Sequence, residues 1–242
     1  MSKIIIANWK NHLETLEEAK ELFEFSASEA AKYPNLKTVI CPPEQFLSEL
    51  SAISHKLSAI LGAQDVFWES GAENCGVKYS LVGHSDRRYP SVGGGDTDET
   101  TNHKLKIALE SGVTPVLLVG EKEKGNDRQK VLENQLYGAI TTLTTSDVVR
   151  VVIAYEPVWA ISTNPNGHAD TPENALQAID FINNFLTINY KLKTKNYLYG
   201  GSVSQDNVTD FLKHSEISGA VIGGASLRKE EFANILKIAS EL

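Results

Sequence analysis

Eight short apolar runs recur along the chain: KIIIA (3–7), KTVIC (37–41), SAILGAQ (58–64), KYSLVG (78–83), TPVLLVG (114–120), RVVIAY (150–155), NYLYG (196–200) and GAVIGG (219–224). Their polarity is continuous rather than alternating, as it must be in strands covered on both faces, and this predicts a parallel sheet. The stretches between them follow another rhythm. TLEEAKELFEFSASEAAK, DETTNHKLKIALESG, RQKVLENQLYGAITTL, TPENALQAIDFINNFL and RKEEFANILKIASEL space their apolar residues by three or four, as amphipathic helices do. Several begin on a capping residue; at Thr171 the following Pro172 and Glu173 suit a first helical turn. Eight strands with helices between most of them, in a chain of 242 residues, fit an α/β fold of the closed (β/α)8 barrel type, as a single domain over 1–242. An open doubly wound sheet is the alternative. No low-complexity linker divides the chain, and no strict repeat marks a solenoid.

Composition narrows the partners. Hydrophobic residues make up 41%, enough for a full core, and 23 Lys plus Arg stand against 31 Asp plus Glu, a formal charge of −8. An acidic chain offers no basic face to nucleic acid or to anionic lipid, so neither is an expected partner, and any anionic ligand must be gripped by local devices. Cys41 and Cys75 lack the spacing of a zinc site or a redox pair, and read as two reduced thiols. The N-terminal apolar run is too short for a signal peptide or a membrane span, and no later stretch supplies one. The expectation is a soluble cytoplasmic protein.

Barrels of this architecture place their chemistry where strands end and loops begin. Polar or conformationally special residues do follow the strands here: Asn8 and Lys10 after the first, His84 and Ser85 after the fourth, Glu156 after the sixth, Gly200 to Ser202 after the seventh, Gly223 and Gly224 after the eighth. Singly each has an ordinary explanation, as a structural hydrogen bonder, a solvated charge or a tight turn. Together, a carboxylate, an imidazole, an ammonium and two clusters of exposed backbone N–H groups suit proton transfer on a small phosphorylated molecule.

Five segments carry a family resemblance. NWK (8–10), GHSDRR (83–88), YEPVWAIST (155–163), YGGSV (199–203) and IGGASL (222–227) resemble the signature segments of the triosephosphate isomerases, in that family's order and across essentially the whole chain. The resemblance implies a TIM barrel that interconverts dihydroxyacetone phosphate and D-glyceraldehyde 3-phosphate through an enediolate, in glycolysis and gluconeogenesis, without metal or organic cofactor. Glu156 then matches the general base, His84 the electrophile that polarises the carbonyl, and Lys10 the cation facing the developing charge, with Asn8 as a neutral donor beside it. Backbone amides of Ser162, Ser202, Gly223 and Gly224 match the phosphate contacts. In supporting positions, Ile161 and Val221 match side chains that close over the base, and Ser85 a residue that holds it while the lid over 157–164 is open. Tyr199 matches a hydrogen-bonding partner of that lid.

Departures from the family pattern carry their own expectations. Asp86 stands where the family usually has Glu, one methylene longer, which alters any ion pair bracing Lys10 or Arg87. Ser162 and Asn164 replace two usual glycines, the return to the next helix is longer, and the partner of Tyr199, near Asp170, differs from the family's small residue. Leu118 reads as a core substitution. After GAQDVFWESGA only ENC precedes GVKYSLVGHS, so about ten residues are missing from the arm that in the family inserts into the partner subunit, which implies a monomer or a dimer on another surface. A catalytically weakened barrel that only binds a phosphorylated metabolite is the alternative. His12, His55, His103, His168 and His214 receive no role.

Overall fold

A computed structural model describes residues 2–57, 59–68, 75–125, 127–161, 169–192 and 197–242. Eight strands, β1 (Lys3–Asn8), β2 (Leu36–Cys41), β3 (Ile60–Ala63), β4 (Tyr79–Val82), β5 (Thr114–Val119), β6 (Val152–Tyr155), β7 (Tyr197–Tyr199) and β8 (Gly219–Ile222), close into a barrel in sequence order, every pair parallel. The closed barrel holds, and the open-sheet alternative falls. Around it lie α1 (Leu16–Ala31), α2 (Leu47–Leu57), α3 (Ser85–Arg88), α4 (Asp98–Glu110), α5 (Arg128–Ile140), α6 (Thr145–Val149), α7 (Pro172–Tyr190), α8 (Val208–Leu212) and α9 (Lys229–Ser240). The capping signals act as expected: Thr15 and Glu18 form a reciprocal capping box on α1, and Thr171 caps α7 with Pro172 in the first turn.

Two apolar layers result from the strand pleat. Alternate residues, among them Ile4 and Ile6 of β1, Leu81 of β4, Val116 and Leu118 of β5, Val152 and Ala154 of β6, Leu198 of β7 and Val221 of β8, fill the barrel interior as one cluster. Their neighbours, such as Ile5, Ala7, Leu117, Ile153 and Tyr155, pack outward against the helices. Leu118 is thus interior core, as expected. Gly62 is required by this packing, because a Cβ there would stand 2.6 Å from Cys41 Sγ and 2.7 Å from Val39 Cγ1.

The same alternation places the site. Continuing the interior parity by one step beyond the packed layer reaches Asn8 in β1, Glu156 after β6, Gly200 after β7 and Gly223 after β8, so these residues face the C-terminal mouth. β1 runs one residue further than the apolar run suggested, because Asn8 still pairs with Cys41 of β2. β4 ends at Val82 because Gly83 takes φ +74, a conformation suited to glycine, and this turn hands the chain directly to His84 at the N-cap of α3.

Candidate active site

Glu156 and His84 meet at the mouth. Glu156 is 3% exposed and is held from one side by Ser85, whose backbone N–H donates to Oε2 at 3.0 Å and whose hydroxyl donates to Oε1 at 2.9 Å. His84 Nε2 lies 3.2 Å from Oε1. The Asp86 backbone N–H donates to His84 Nδ1 at 3.1 Å; an amide can only donate, so Nδ1 is the acceptor and the proton of the neutral ring sits on Nε2, pointed at the carboxylate and the cavity. The N-cap position supplies that amide, which is why a histidine directly before a helix start suits this role.

Asn8 and Lys10 complete the opposite wall. Asn8 Oδ1 accepts from the Lys10 backbone N–H at 3.1 Å, which turns its Nδ2 toward His84 Nε2, 3.3 Å away. Lys10 sits at φ +50, a left-handed conformation that a side chain normally avoids, and its Nζ lies 3.1 Å from Asp86 Oδ2. The shorter Asp86 therefore reaches Lys10 after all. Arg87 pairs elsewhere, its Nε 3.4 Å from Asp65 Oδ2, and Arg88 is tied to the Gly83 carbonyl and to Asp98.

Asn8, Lys10, His84, Glu156, Ile161, Ser202, Val221, Gly223 and Gly224 line one cavity of about 250 Å³. A Cβ at Gly223 would meet nothing within 4 Å, so the bare backbone there faces open space in which a ligand can approach the amides. Ser202 differs from the expectation of a donor aimed at a ligand: its N–H and its hydroxyl both donate to the Ala160 carbonyl, at 3.2 and 2.8 Å. The expected contact from Ser162, like Asn164 and His168, lies outside the described residues, as does most of the shortened connection at 69–74.

Three further polar residues escaped the sequence reading or gained a partner. Glu121, buried just past β5, accepts both the Tyr155 hydroxyl and the Trp159 indole N–H on Oε1, each at 2.9 Å. Gln64, just past β3, donates to the Lys10 and Cys41 carbonyls. The strand-end position that singled out Asn8 and Glu156 marks both of these as well. Tyr199 donates to Asp170 Oδ2 at 3.1 Å, while Thr171 N–H and Asn174 Nδ2 hold Oδ1 at 2.8 and 2.7 Å. Burial pushes the Asp170 carboxyl above its ordinary range, the three hydrogen bonds oppose that shift, and the Glu121 charge adds to it. Burial, reinforced by Asp170, likewise pushes the Tyr199 phenol up.

Fold and site together define a (β/α)8-barrel enzyme in which a buried carboxylate and an imidazole share one small cavity with a lysine and a glycine-lined wall. The chain matches the triosephosphate isomerase family over residues 3–239. It is 39% identical over 252 residues to the triosephosphate isomerase of Trichodesmium erythraeum (strain IMS101), covering 98% of this chain and 99% of that one. The enzyme of Thermoanaerobacter sp. (strain X514) is 37% identical over 251 residues, covering 96% and 98%. Among solved structures, triosephosphate isomerase from Bartonella henselae superposes with a TM-score of 0.80 at 27% identity, over 98% of this chain and 99% of that one. The chain belongs to the triosephosphate isomerase family.

Proposed function

We propose that Glu156, His84, Lys10 and Asn8 carry out the family's reaction, the glycolytic interconversion of dihydroxyacetone phosphate and D-glyceraldehyde 3-phosphate. Glu156 removes a proton from the carbon next to the carbonyl, and the electron pair moves onto the carbonyl oxygen to give an enediolate. His84, through Nε2–H, donates to that oxygen and then supports proton movement between the two substrate oxygens. The proton held by Glu156 returns to the neighbouring carbon. The Lys10 ammonium balances the charge that grows on the oxygens, and Asn8 adds a neutral donor. Burial of Glu156 keeps bulk water from the carboxylate, which is otherwise a weak base for a carbon-bound proton.

The observation that carries this reading is the 3.2 Å approach of His84 Nε2 to Glu156 Oε1 inside the cavity that Lys10 also lines. The substrate phosphate is assigned to the amides of Gly223, Gly224 and Ser162, with the Ser202 amide joining them only on release from the Ala160 carbonyl, which lets an acidic protein hold an anion without a basic patch. Ile161 and Val221 provide the apolar cover. A coupled assay of triose phosphate isomerisation tests the assignment: Glu156→Gln, nearly isosteric and able to keep one Ser85 contact, is expected to cost roughly 10³-fold in kcat. A variant within tenfold of the parent would remove Glu156 from the role. The weakened-barrel alternative is not favoured, since the relatives, matched over nearly their whole length, are named as isomerases.

The oligomeric state belongs to the same proposal. A monomer, or a dimer on an unfamiliar surface, is expected from the short link between Ala72 and Gly76, and light scattering at micromolar protein reads it directly. Residues 1–242 are taken as one domain working in the cytoplasm; among the described residues no helix is long and apolar enough to cross a membrane.

A further inference from the structure

Lys10 is the one proposed catalytic residue whose backbone is strained. At φ +50 a lysine gives up roughly 1 kcal/mol or more relative to a relaxed conformation, so its neighbours must hold it there. The N–H of its peptide unit is taken by Asn8 Oδ1 at 3.1 Å, and its carbonyl accepts Gln64 Nε2 at 2.7 Å. The same Gln64 nitrogen donates to the Cys41 carbonyl at 3.1 Å, and that carbonyl also accepts the Trp9 N–H at 3.1 Å. An amide nitrogen has two hydrogens, and here both are assigned. One side chain at the end of β3 thus reaches across the end of β2 to the turn after β1.

Gln64 lies outside the wall of the reaction cavity. It lines a neighbouring cavity of about 370 Å³ with Asn11, His12 and Arg87, which meets the first through Asn8, Lys10, His12 and His84. A residue so placed cannot touch the substrate in the reaction cavity, yet it grips the peptide that aims Lys10. We propose that Gln64 is a positioning residue for the reaction, fixing the left-handed turn at Lys10 so that the ammonium stays between Asp86 and the substrate oxygens. The inference rests on the assignment of Lys10 made above. Its chemistry follows from reach and polarity: glutamine is long enough to span β2, and its NH2 can serve two carbonyls where a carboxylate would repel both.

The test is a double-mutant cycle on kcat. Gln64→Met keeps the length and removes both donors; in the Lys10 enzyme it is expected to lower kcat by roughly ten- to a hundredfold, the scale of a misplacement of about 1 Å. In the Lys10→Met background the same change is expected to cost less than about twofold, because there is no ammonium left to aim. Gln64→Asn, with the donors retained but one methylene short, is expected to lose less than Gln64→Met, and it carries the comparison should Gln64→Met fail to fold. An unchanged kcat in the Lys10 enzyme, or an equal loss in both backgrounds, overturns the inference. A Lys10→Met enzyme as fast as the parent would instead refute the role given to Lys10 itself.

Discussion

The two ends of the barrel differ in what their polar side chains are bound to. At the N-terminal end Lys3 Nζ donates to the Leu212 carbonyl at 2.6 Å, the Ser2 hydroxyl to Asn35 at 2.6 Å, Asn35 Nδ2 to Ser240 at 2.8 Å and the Ser218 hydroxyl to Tyr197 at 3.0 Å. All four acceptors are main-chain carbonyls, and the interactions tie chain segments together. A cavity of about 810 Å³ opens there, several times the 250 Å³ of the reaction cavity. At the C-terminal end some side chains also reach the main chain, but a set of them is bound to one another: Ser85 to Glu156, Glu156 to His84, His84 beside Asn8, Asp86 to Lys10. Volume does not make a site. Convergent groups whose chemistry is coupled do, and because all eight strands are parallel, the residues that follow them are delivered to one end only.

Substitutions at the two ends sharpen this contrast. The largest effect short of removing the base is expected from Lys10→Met, which leaves the developing oxyanion without its cation: kcat falls by roughly 10²- to 10³-fold in the coupled assay, with unchanged circular dichroism. Ser85→Ala removes one of two hydrogen bonds to Glu156 and leaves the backbone donor in place, so a loss of about tenfold or less in kcat/KM is expected. At the opposite end Lys3→Met should leave kcat and KM unchanged and lower stability to denaturant by about 1 kcal/mol, the worth of one hydrogen bond. A fall in kcat for Lys3→Met comparable to that for Ser85→Ala would erase the distinction between the ends.

The smallest expected effect is a pH dependence of stability at Asp170. Its folded carboxyl is raised above the ordinary 3.8, so ionisation is less favourable in the folded chain than in the unfolded one. That stabilisation is complete below the ordinary carboxylate range and is lost as pH rises through the raised value. Asp170→Asn cannot ionise. Its stability relative to the parent should therefore increase between about pH 4 and neutrality, read by denaturant unfolding at several pH values. A constant gap across that range contradicts the assigned shift.

The barrel was legible because strands buried on both faces leave continuous apolar runs, and the five longest helices because twelve or more residues show a clear period. The helices α3, α6 and α8 were not, since four or five residues make barely one turn, too few for a periodic pattern. Asn8, His84 and Glu156 were legible by their position directly after an apolar run, Asn8 still within β1 and the other two just beyond their strands. The resemblance did place the partner of Tyr199 near Asp170, but the linear pattern could not hold other pairings across it, Arg87 with Asp65 rather than Asp86 and Gln64 with Lys10, each set by the closing of the barrel. Nor could it show that the Ser202 amide is committed to the Ala160 carbonyl.

The central claim is a carbon-bound proton carried by Glu156, and isomerisation in D2O tests it most directly. A carboxylate that has taken a proton can exchange it with solvent before returning it, so product analysed by NMR should carry deuterium on the carbon that was reprotonated, in at least part of the molecules. Glu156→Gln should yield essentially none over the same time. Deuterium-free product from the active enzyme, at every stage of the reaction, would contradict the account.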